Sequence, residues 1–447
     1  MPDSLEESDT RRSLETTLNA MPMKTKTTEN AISKKVFLIL LCCTALQFPL
    51  LAAEEPKLEA EEGEKTWVDK LPNFVKDGKL LVHARLRYEY ADAAGLKPSN
   101  AFTERIALGY KTGNYYGFEG LLEFVDTRPI GSENNVNLAG TTGQPLRRNV
   151  ADPQSTEVNQ AWIGFNKWDT ALRYGRQQIV YDNARFIGDV IWRNNQQTYD
   201  AWTFSNNSVK DLSITYSYIF NVNRIFGDSH PAGNFDSDSH IARISYSGID
   251  WVTVAAAMYL LDFNNSAANS SDTFHFAAYG GVPVGDFKVN YRGEYAHQLG
   301  SGNNPTSYDA SYYLLEGGAS YDRYSLKLGY EVLGADGPLA TQVFKTPLAT
   351  AHKFNGWADA FLATPAGGLT DLYVAAGVKL SYDIPLSVIY HHFQSDRGGV
   401  DFGNEIDVIA TKKLGKHWSL LAKYAHLEGN GPFVDLDNFW FQVEFKY

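Results

Sequence analysis

The chain has 447 residues and a formal net charge of −12, with 52 Asp and Glu against 40 Lys and Arg. This acidic balance argues against a nucleic-acid partner, because nucleic acids are bound by basic surfaces. Tyr, Phe, Trp and Gly are abundant (26, 25, 9 and 37), which favours strands, tight turns and interfacial aromatic girdles.

The N-terminal part has the organisation of an export signal. A basic pair at 34–35 precedes a short apolar run over 36–46, and small residues lead to a cleavage point after Ala53. The run is too short for a membrane helix, which needs about 20 apolar residues. Residues 1–53 are therefore predicted to be removed.

The start of translation stays open between Met1 and either Met21 or Met23. Both cysteines, Cys42 and Cys43, lie within the predicted signal, and a lipid anchor on one of them is the weaker alternative. The exported chain would then contain no cysteine and no disulfide. Residues 54–78 are predicted to form an acidic periplasmic leader, too short for a plug domain. No later apolar run approaches the length of a membrane helix.

Residues 79–447 read as about 18 strands with period-two alternation, joined by connections that alternate between short and long. This predicts an all-β fold, a transmembrane antiparallel β-barrel of the outer-membrane type, with the short turns and both termini in the periplasm. A soluble sandwich or solenoid is the alternative fold, but neither a fixed repeat nor a domain linker is visible. The predicted strands are 79–90, 101–112, 115–126, 155–166, 168–180, 195–206, 210–222, 237–247, 250–262, 271–281, 285–297, 309–320, 322–333, 371–381, 384–394, 403–413, 416–428 and 438–447.

Alternation also assigns the two faces of each strand. In the first strand, Leu86 and Tyr88 are predicted to face lipid, whereas Arg85 and Arg87 face the lumen. Charges of both signs on this inner face predict a wet channel wall, because each would cost several kcal/mol in hydrocarbon. Pairing across the lumen without a role in selectivity is the alternative. The strands 155–166 and 195–206 are ambiguous by this rule. Further arginines predicted to face the lumen are Arg105, Arg243 and Arg292.

One strand–loop–strand unit concentrates charged candidates for a pore constriction. If its loop, 181–194, folds inward, three guanidinium groups are expected to meet where the lumen is narrowest and to attract carboxylates. The alternative is that the two aspartates neutralise the arginines and pin the loop. The candidates are Arg176, Arg185, Arg193, Asp189 and Asp200.

Two other long loops are predicted at 127–154 and 334–370. The second carries Lys353, Trp357 and Asp359, which are candidates for a lid over the mouth or for a vestibule with a tryptophan that stacks on sugars. A surface loop packed on its neighbours is the alternative.

The last strand alternates without interruption up to Tyr447. Phe441, Val443 and Phe445 fall on one face, and Glu444 on the other. A terminal aromatic on such a strand resembles the insertion signal of outer-membrane barrels. Contact with the barrel-assembly machinery and with the outer-membrane bilayer is therefore predicted.

Two blocks, 172–202 and 352–373, resemble the alginate-export family of outer-membrane porins. The first contains the pieces Gly-Arg-Gln, Arg-Phe-Ile-Gly, Trp-Arg and Gln-Thr-Tyr-Asp that carry the resemblance. The resemblance extends from about residue 79 to the end, and it implies an 18-stranded monomeric barrel with an arginine-rich lumen.

The predicted function is that of an outer-membrane porin for small polar or anionic solutes, with saccharides and uronate-type polymers as candidates. An adhesin or structural barrel is the alternative. An enzyme would need a Ser/His or Asp/His site, and the dense pair His391 and His392 occupies adjacent strand positions that face opposite ways. No catalytic activity, cofactor or metal is predicted.

Overall fold

A computed structural model describes residues 72–447 of the chain. The predicted signal, 1–53, and most of the predicted leader lie outside the described residues. The described part opens with a single-turn helix, α1 (Asn73–Lys76), just before the first strand. None of the helices in this part has the length and apolar character needed to cross a membrane.

Eighteen strands form one closed antiparallel sheet. Each strand pairs with its neighbours in chain order, and the first strand pairs with the last, so the sheet closes into a barrel without an edge. A separate parallel pair, β4 (Asn137–Leu138) and β5 (Asn149–Val150), lies in a long loop. The barrel strands are β1 (Lys79–Ala93), β2 (Ser99–Lys111), β3 (Phe118–Pro129), β6 (Ser155–Lys167), β7 (Thr170–Gln177), β8 (Thr198–Asn206), β9 (Leu212–Asn223), β10 (Asn234–Ile249), β11 (Val252–Leu261), β12 (Ser271–Val284), β13 (Phe287–Gly300), β14 (Asp309–Tyr321), β15 (Tyr324–Leu333), β16 (Leu369–Leu380), β17 (Ile384–Gln394), β18 (Asp401–Leu414), β19 (Trp418–Gly429) and β20 (Leu436–Lys446).

The predicted fold class and all of the predicted strands are confirmed, with bounds that differ by a few residues. β7 ends at Gln177, three residues before its predicted end, because the chain leaves the wall at Gln178 and turns into the lumen. Short turns join the strands at one end of the barrel and the longer loops lie at the other. These are called the short-turn end and the long-loop end below.

Alternation of the two faces is also confirmed. Leu86, on the outer face of β1, has 44% of its surface exposed. Arg105 of β2 faces the lumen and has 1% of its surface exposed. The two faces of the strand at 155–166 could not be assigned from sequence. The cause is a bulge in β6 opposite β3, which turns both Asn159 and Gln160 inward. The outer face thus presents apolar side chains to the membrane and the inner face presents charges.

The interior at the long-loop end is a packed core. The first inward loop, 178–197, and the second inward loop, 334–368, fold into the barrel and meet at a bridge between Ile187 and Leu348. Phe186 stacks on Tyr259 of the wall at 5.1 Å between ring centroids. Apolar burial and backbone pairing therefore hold the two loops inside the lumen.

Candidate functional site: the barrel lumen

The predicted lumenal arginines of β1 and β2 hold the first inward loop. Arg85, Arg87 and Arg105 donate to carbonyl oxygens of residues 191–194 at 2.5 to 3.2 Å. Arg85 also pairs with Glu444 at 2.9 Å. These arginines face inward, as predicted, but most of their N–H groups donate hydrogen bonds to atoms of the protein itself. Their main effect is to fix the loop against the wall.

Two further arginines extend from the first inward loop into buried ion pairs. Arg185 Nε lies 2.8 Å from Glu331 of β15. Arg193 lies 3.1 Å from Glu89 of β1 and 2.7 Å from Asp359 of the second inward loop. Because charge-assisted pairs of this kind hold both partners in one geometry, they join the loop to two separate parts of the barrel wall.

Arg176 and Asp200 do not join that cluster, which corrects the prediction of one constriction with three arginines. Tyr174 of β7 is exposed on the outer face beside Trp202, and Arg176 follows two residues later on the same face. Arg176 Nε donates to Asp200 at 2.9 Å there. The ion pair therefore belongs to the outer wall. Asp189 accepts from the backbone N–H of Ile191 at 3.4 Å and forms no ion pair with the arginines of the described chain.

Lys353 lines a cavity described below, whereas the other two predicted lid residues, Trp357 and Asp359, lie inside the barrel near Lys423 of β19. Its ammonium is 3.7 Å from the ring centroid of Trp357 and 4.3 Å from that of Trp192. Burial lowers the pKa of His352 to about 3, so the ring is neutral. The neutral ring can donate from Nδ1 to Asp359 at 2.6 Å and accept at Nε2 from Lys423 at 2.7 Å.

Two adjoining cavities of about 350 and 240 Å³ follow the inner wall from β13 to β17. Both are lined by Arg292, Glu316 and Lys327. The larger reaches toward the short turns, and the smaller ends against Lys353 and Trp357 of the second inward loop. We call this pair of cavities the cationic passage after Arg292, Lys327 and Lys353; the carboxylates Glu316, Glu331 and Asp371 also line it.

Lys353 is the cation of this passage that lacks a carboxylate partner within ion-pair distance in the described chain. Arg292 and Lys327 each pair with a carboxylate, at 2.6 and 2.5 Å. Lys353 Nζ instead donates to the carbonyl oxygen of Asn183 at 2.9 Å. Burial lowers the pKa of Lys353, and the positive charges of Arg292 and Lys327 lower it further. An anion arriving in the passage would relieve this repulsion.

The remaining predicted residue, Arg243, also faces inward, and its Nη1 donates to Ser245 Oγ at 3.1 Å. Sequence reasoning missed Glu316 and Tyr373, which share a hydrogen bond of 2.7 Å inside the passage. The alternation of side chains in β14 and β16 could have shown that both residues face inward. Their hydrogen bond could not be predicted from sequence, because it depends on how three neighbouring strands pack.

A closed antiparallel barrel of 18 strands with an apolar outer face and a charged lumen defines an outer-membrane porin. The model of the alginate export family matches residues 82–332, more than half of the chain. The protein therefore belongs to the alginate export family.

Solved structures with the same fold include three outer-membrane channels of Pseudomonas aeruginosa. OccK9 (OpdG) superposes with a TM-score of 0.68 at 13% identity, covering 84% of this chain and 99% of its own. OpdK with vanillate superposes with a TM-score of 0.66 at 14% identity, and OccK2 (OpdF) with glucuronate with a TM-score of 0.64 at 12% identity. Each covers 84% of this chain and 99% of its own. A comparison with curated proteins found no match.

Proposed function

We propose that this porin passes small anionic solutes along the cationic passage, with Lys353 as the group that meets their negative charge. The observation that carries the proposal is the ammonium of Lys353, which is exposed to the lumen beside two further cations and has no carboxylate within ion-pair distance in the described chain. Low-dielectric walls strengthen such an attraction and raise the local concentration of anions.

Two of the solved channels with this fold support the chemical class. Vanillate and glucuronate, the molecules named in their complexes, are both carboxylates with a ring and hydroxyl groups. Trp357 and Tyr373 line the same cavity as Lys353 here, and aromatic faces pack well against such rings. A ring-bearing carboxylate is the solute that this lining fits.

The size of the passage favours single small molecules over a uronate polymer. Its two cavities have volumes of about 350 and 240 Å³, and the space beside them is occupied by the two inward loops. A volume of this order suits one small ligand.

A channel is also favoured over an enzyme. His391 is the buried histidine of the passage, and its two ring nitrogens lie 2.8 Å from Asp371 and 3.7 Å from Asp407. Both nitrogens therefore face carboxylates, which leaves neither positioned to activate a nucleophile. Within residues 72–447, no group of three or more His, Cys, Asp or Glu side chains could hold a metal ion.

The orientation follows from the barrel type. The short-turn end, which carries both barrel termini, is assigned to the periplasm, and the C-terminal strand is assigned as the segment read by the barrel-assembly machinery. We assign the protein as a monomer, as the family resemblance implies.

Swelling of liposomes that contain the purified protein tests the proposed function. Glucuronate is expected to enter faster than glucose, which has a similar size and no charge. Lys353→Gln should lower glucuronate entry several-fold and leave glucose entry nearly unchanged. Lys210→Gln, in an exposed turn at the short-turn end, is the matched control. Equal entry of both solutes into wild-type liposomes would contradict the proposal.

A further inference from the structure

A third cavity, of about 280 Å³, lies on the opposite side of the lumen from the cationic passage, between β6 and β9 and beneath the start of the first inward loop. It is separate from the cationic passage and shares no lining residue with it. Its lining combines one arginine, Arg173, with side-chain amides and hydroxyls that include Gln178, Thr203 and Ser205.

Arg173 is held in place without using its donors. Its guanidinium lies 4.0 Å from the ring centroid of Trp162, and β7 parity directs it inward beside Gly164 of β6. It forms no hydrogen bond and no ion pair within the described residues. Stacking on an indole fixes the plane of the fork while all five N–H groups remain available. A fork fixed in this way is preorganised for a carboxylate.

Two other polar side chains of the cavity also lack protein partners in the part of the chain that the structure describes. They are the amide of Gln178, where the chain leaves the wall, and the hydroxyl of Ser205 on β8. Both are half-buried and line the same space as Arg173. Amides and hydroxyls around a fixed arginine suit the hydroxyl groups of a solute whose acid group meets the guanidinium.

The charge of the cavity fits the same ligand. Glu119 is its acidic residue, and Lys111 neutralises it at 3.0 Å. Trp162 lies between the two cations, with the Lys111 ammonium 5.7 Å from its ring centroid. Two positive groups and one carboxylate leave an excess positive charge, which Arg173 presents to the cavity.

We propose that this Arg173-centred cavity is a second binding site, which takes the carboxylate of a small hydroxylated acid such as a sugar acid. It faces the short-turn half of the lumen, because its wall residues lie near the short turns after β6 and β8. A solute that has left the cationic passage, or has yet to enter it, would pause there. The site goes beyond the proposed role of Lys353 and depends on different residues.

Titration calorimetry of the full-length protein in detergent, with glucuronate as the probe and glucose as the uncharged comparison, tests the site. Wild-type protein is expected to bind two glucuronate molecules. Arg173→Gln should weaken one site at least about tenfold and leave the other unchanged, as loss of a charge-assisted contact predicts. Arg173→Lys should restore only part of the affinity, because an ammonium lacks the fork. Arg128→Gln, an arginine paired on the outer wall, is the control.

The two proposals fail in distinguishable ways. A folded Arg173→Gln protein with unchanged glucuronate binding overturns the second site, whatever Lys353→Gln does. If Lys353→Gln loses glucuronate binding and Arg173→Gln does not, the second site is overturned and the proposed function stands. If Arg173→Gln does not fold, Gln178→Ala decides the question. A weakened second site supports the proposal, and unchanged affinity overturns it.

Discussion

Arg193 and Asp359 join the two inward loops through an ion pair of 2.7 Å, although they lie 166 positions apart in the chain. Arg193 also pairs with Glu89 of the barrel wall at 3.1 Å. One buried guanidinium therefore connects both loops to β1. The pKa of Asp359 is held below its ordinary value by His352 and Arg193, which keeps its carboxylate charged despite burial.

Removing this guanidinium should release the loops. Arg193→Gln removes the guanidinium from the buried Glu89 and Asp359 carboxylates, although Asp359 keeps its hydrogen bond to His352, and the loss is expected to cost about 3–5 kcal/mol. Single-channel recording should then show larger and more variable conductance, and the unfolding midpoint in urea should fall. Arg128→Gln breaks an exposed pair worth at most about 1 kcal/mol and serves as the control. A variant that conducts like wild type would show that the pair does not hold the loops.

Gly356 offers a test of how closely the second inward loop approaches the wall. An added Cβ would collide with the fully buried Glu405 carboxylate, and the glycine has a φ of +81°. Gly356→Ala should displace the loop and increase its cleavage by protease. Gly398→Ala carries a similar backbone strain at φ +86° with open space around it. Equal protease resistance of the two variants would contradict the close approach.

The lipid-facing assignment predicts a dependence on depth in the membrane. Leu86→Arg, near the middle of β1, should destabilise the barrel by about 2–4 kcal/mol and lower the yield of heat-modifiable protein. Leu80→Arg, near the short-turn end of the same strand and face, should cost at most about 1 kcal/mol. Both leucines are exposed in the structure. Similar yields for the two variants would argue against the face assignment or the membrane position.

The preference of the channel for anions should decline as pH rises. This decline should occur at a lower pH than the titration of a free lysine. Burial and the neighbouring Arg292 and Lys327 lower the pKa of Lys353 from its ordinary value of about 10.4. A lysine is charged below its pKa, so anion preference is present below the lowered pKa of Lys353 and is lost as pH rises through it. Reversal potentials between pH 7 and pH 10 measure this loss. Lys353→Gln should lack this step, and a step that persists in the variant belongs to another group.

The barrel could be predicted from sequence because each strand encodes its faces locally. The alternation around Arg85 and Arg87 specifies an inward charge and an outward apolar side chain, whatever the rest of the chain does. The same rule would have placed Arg176 outside, since Tyr174 precedes it by two residues on the outer face. The prediction grouped Arg176 with the loop that follows and so lost the parity of β7.

The lumenal contacts could not be predicted in the same way. Which carboxylate meets Arg185 or Arg193 depends on the path of a long loop through the barrel, and neighbouring residues carry no signal for that path. Glu331, the partner of Arg185, lies on a strand across the lumen. Only the tertiary arrangement shows that most of the predicted arginines bind the protein itself and that Lys353 and Arg173 have no ion-pair partner among residues 72–447.

The most direct test of the central claim is the reversal potential of the wild-type channel in a gradient of potassium glucuronate across a planar bilayer. We expect a potential whose sign shows that glucuronate crosses more readily than potassium, and Lys353→Gln should move that potential toward zero. A wild-type potential of the opposite sign would contradict the assignment of this porin as a channel for small anionic solutes.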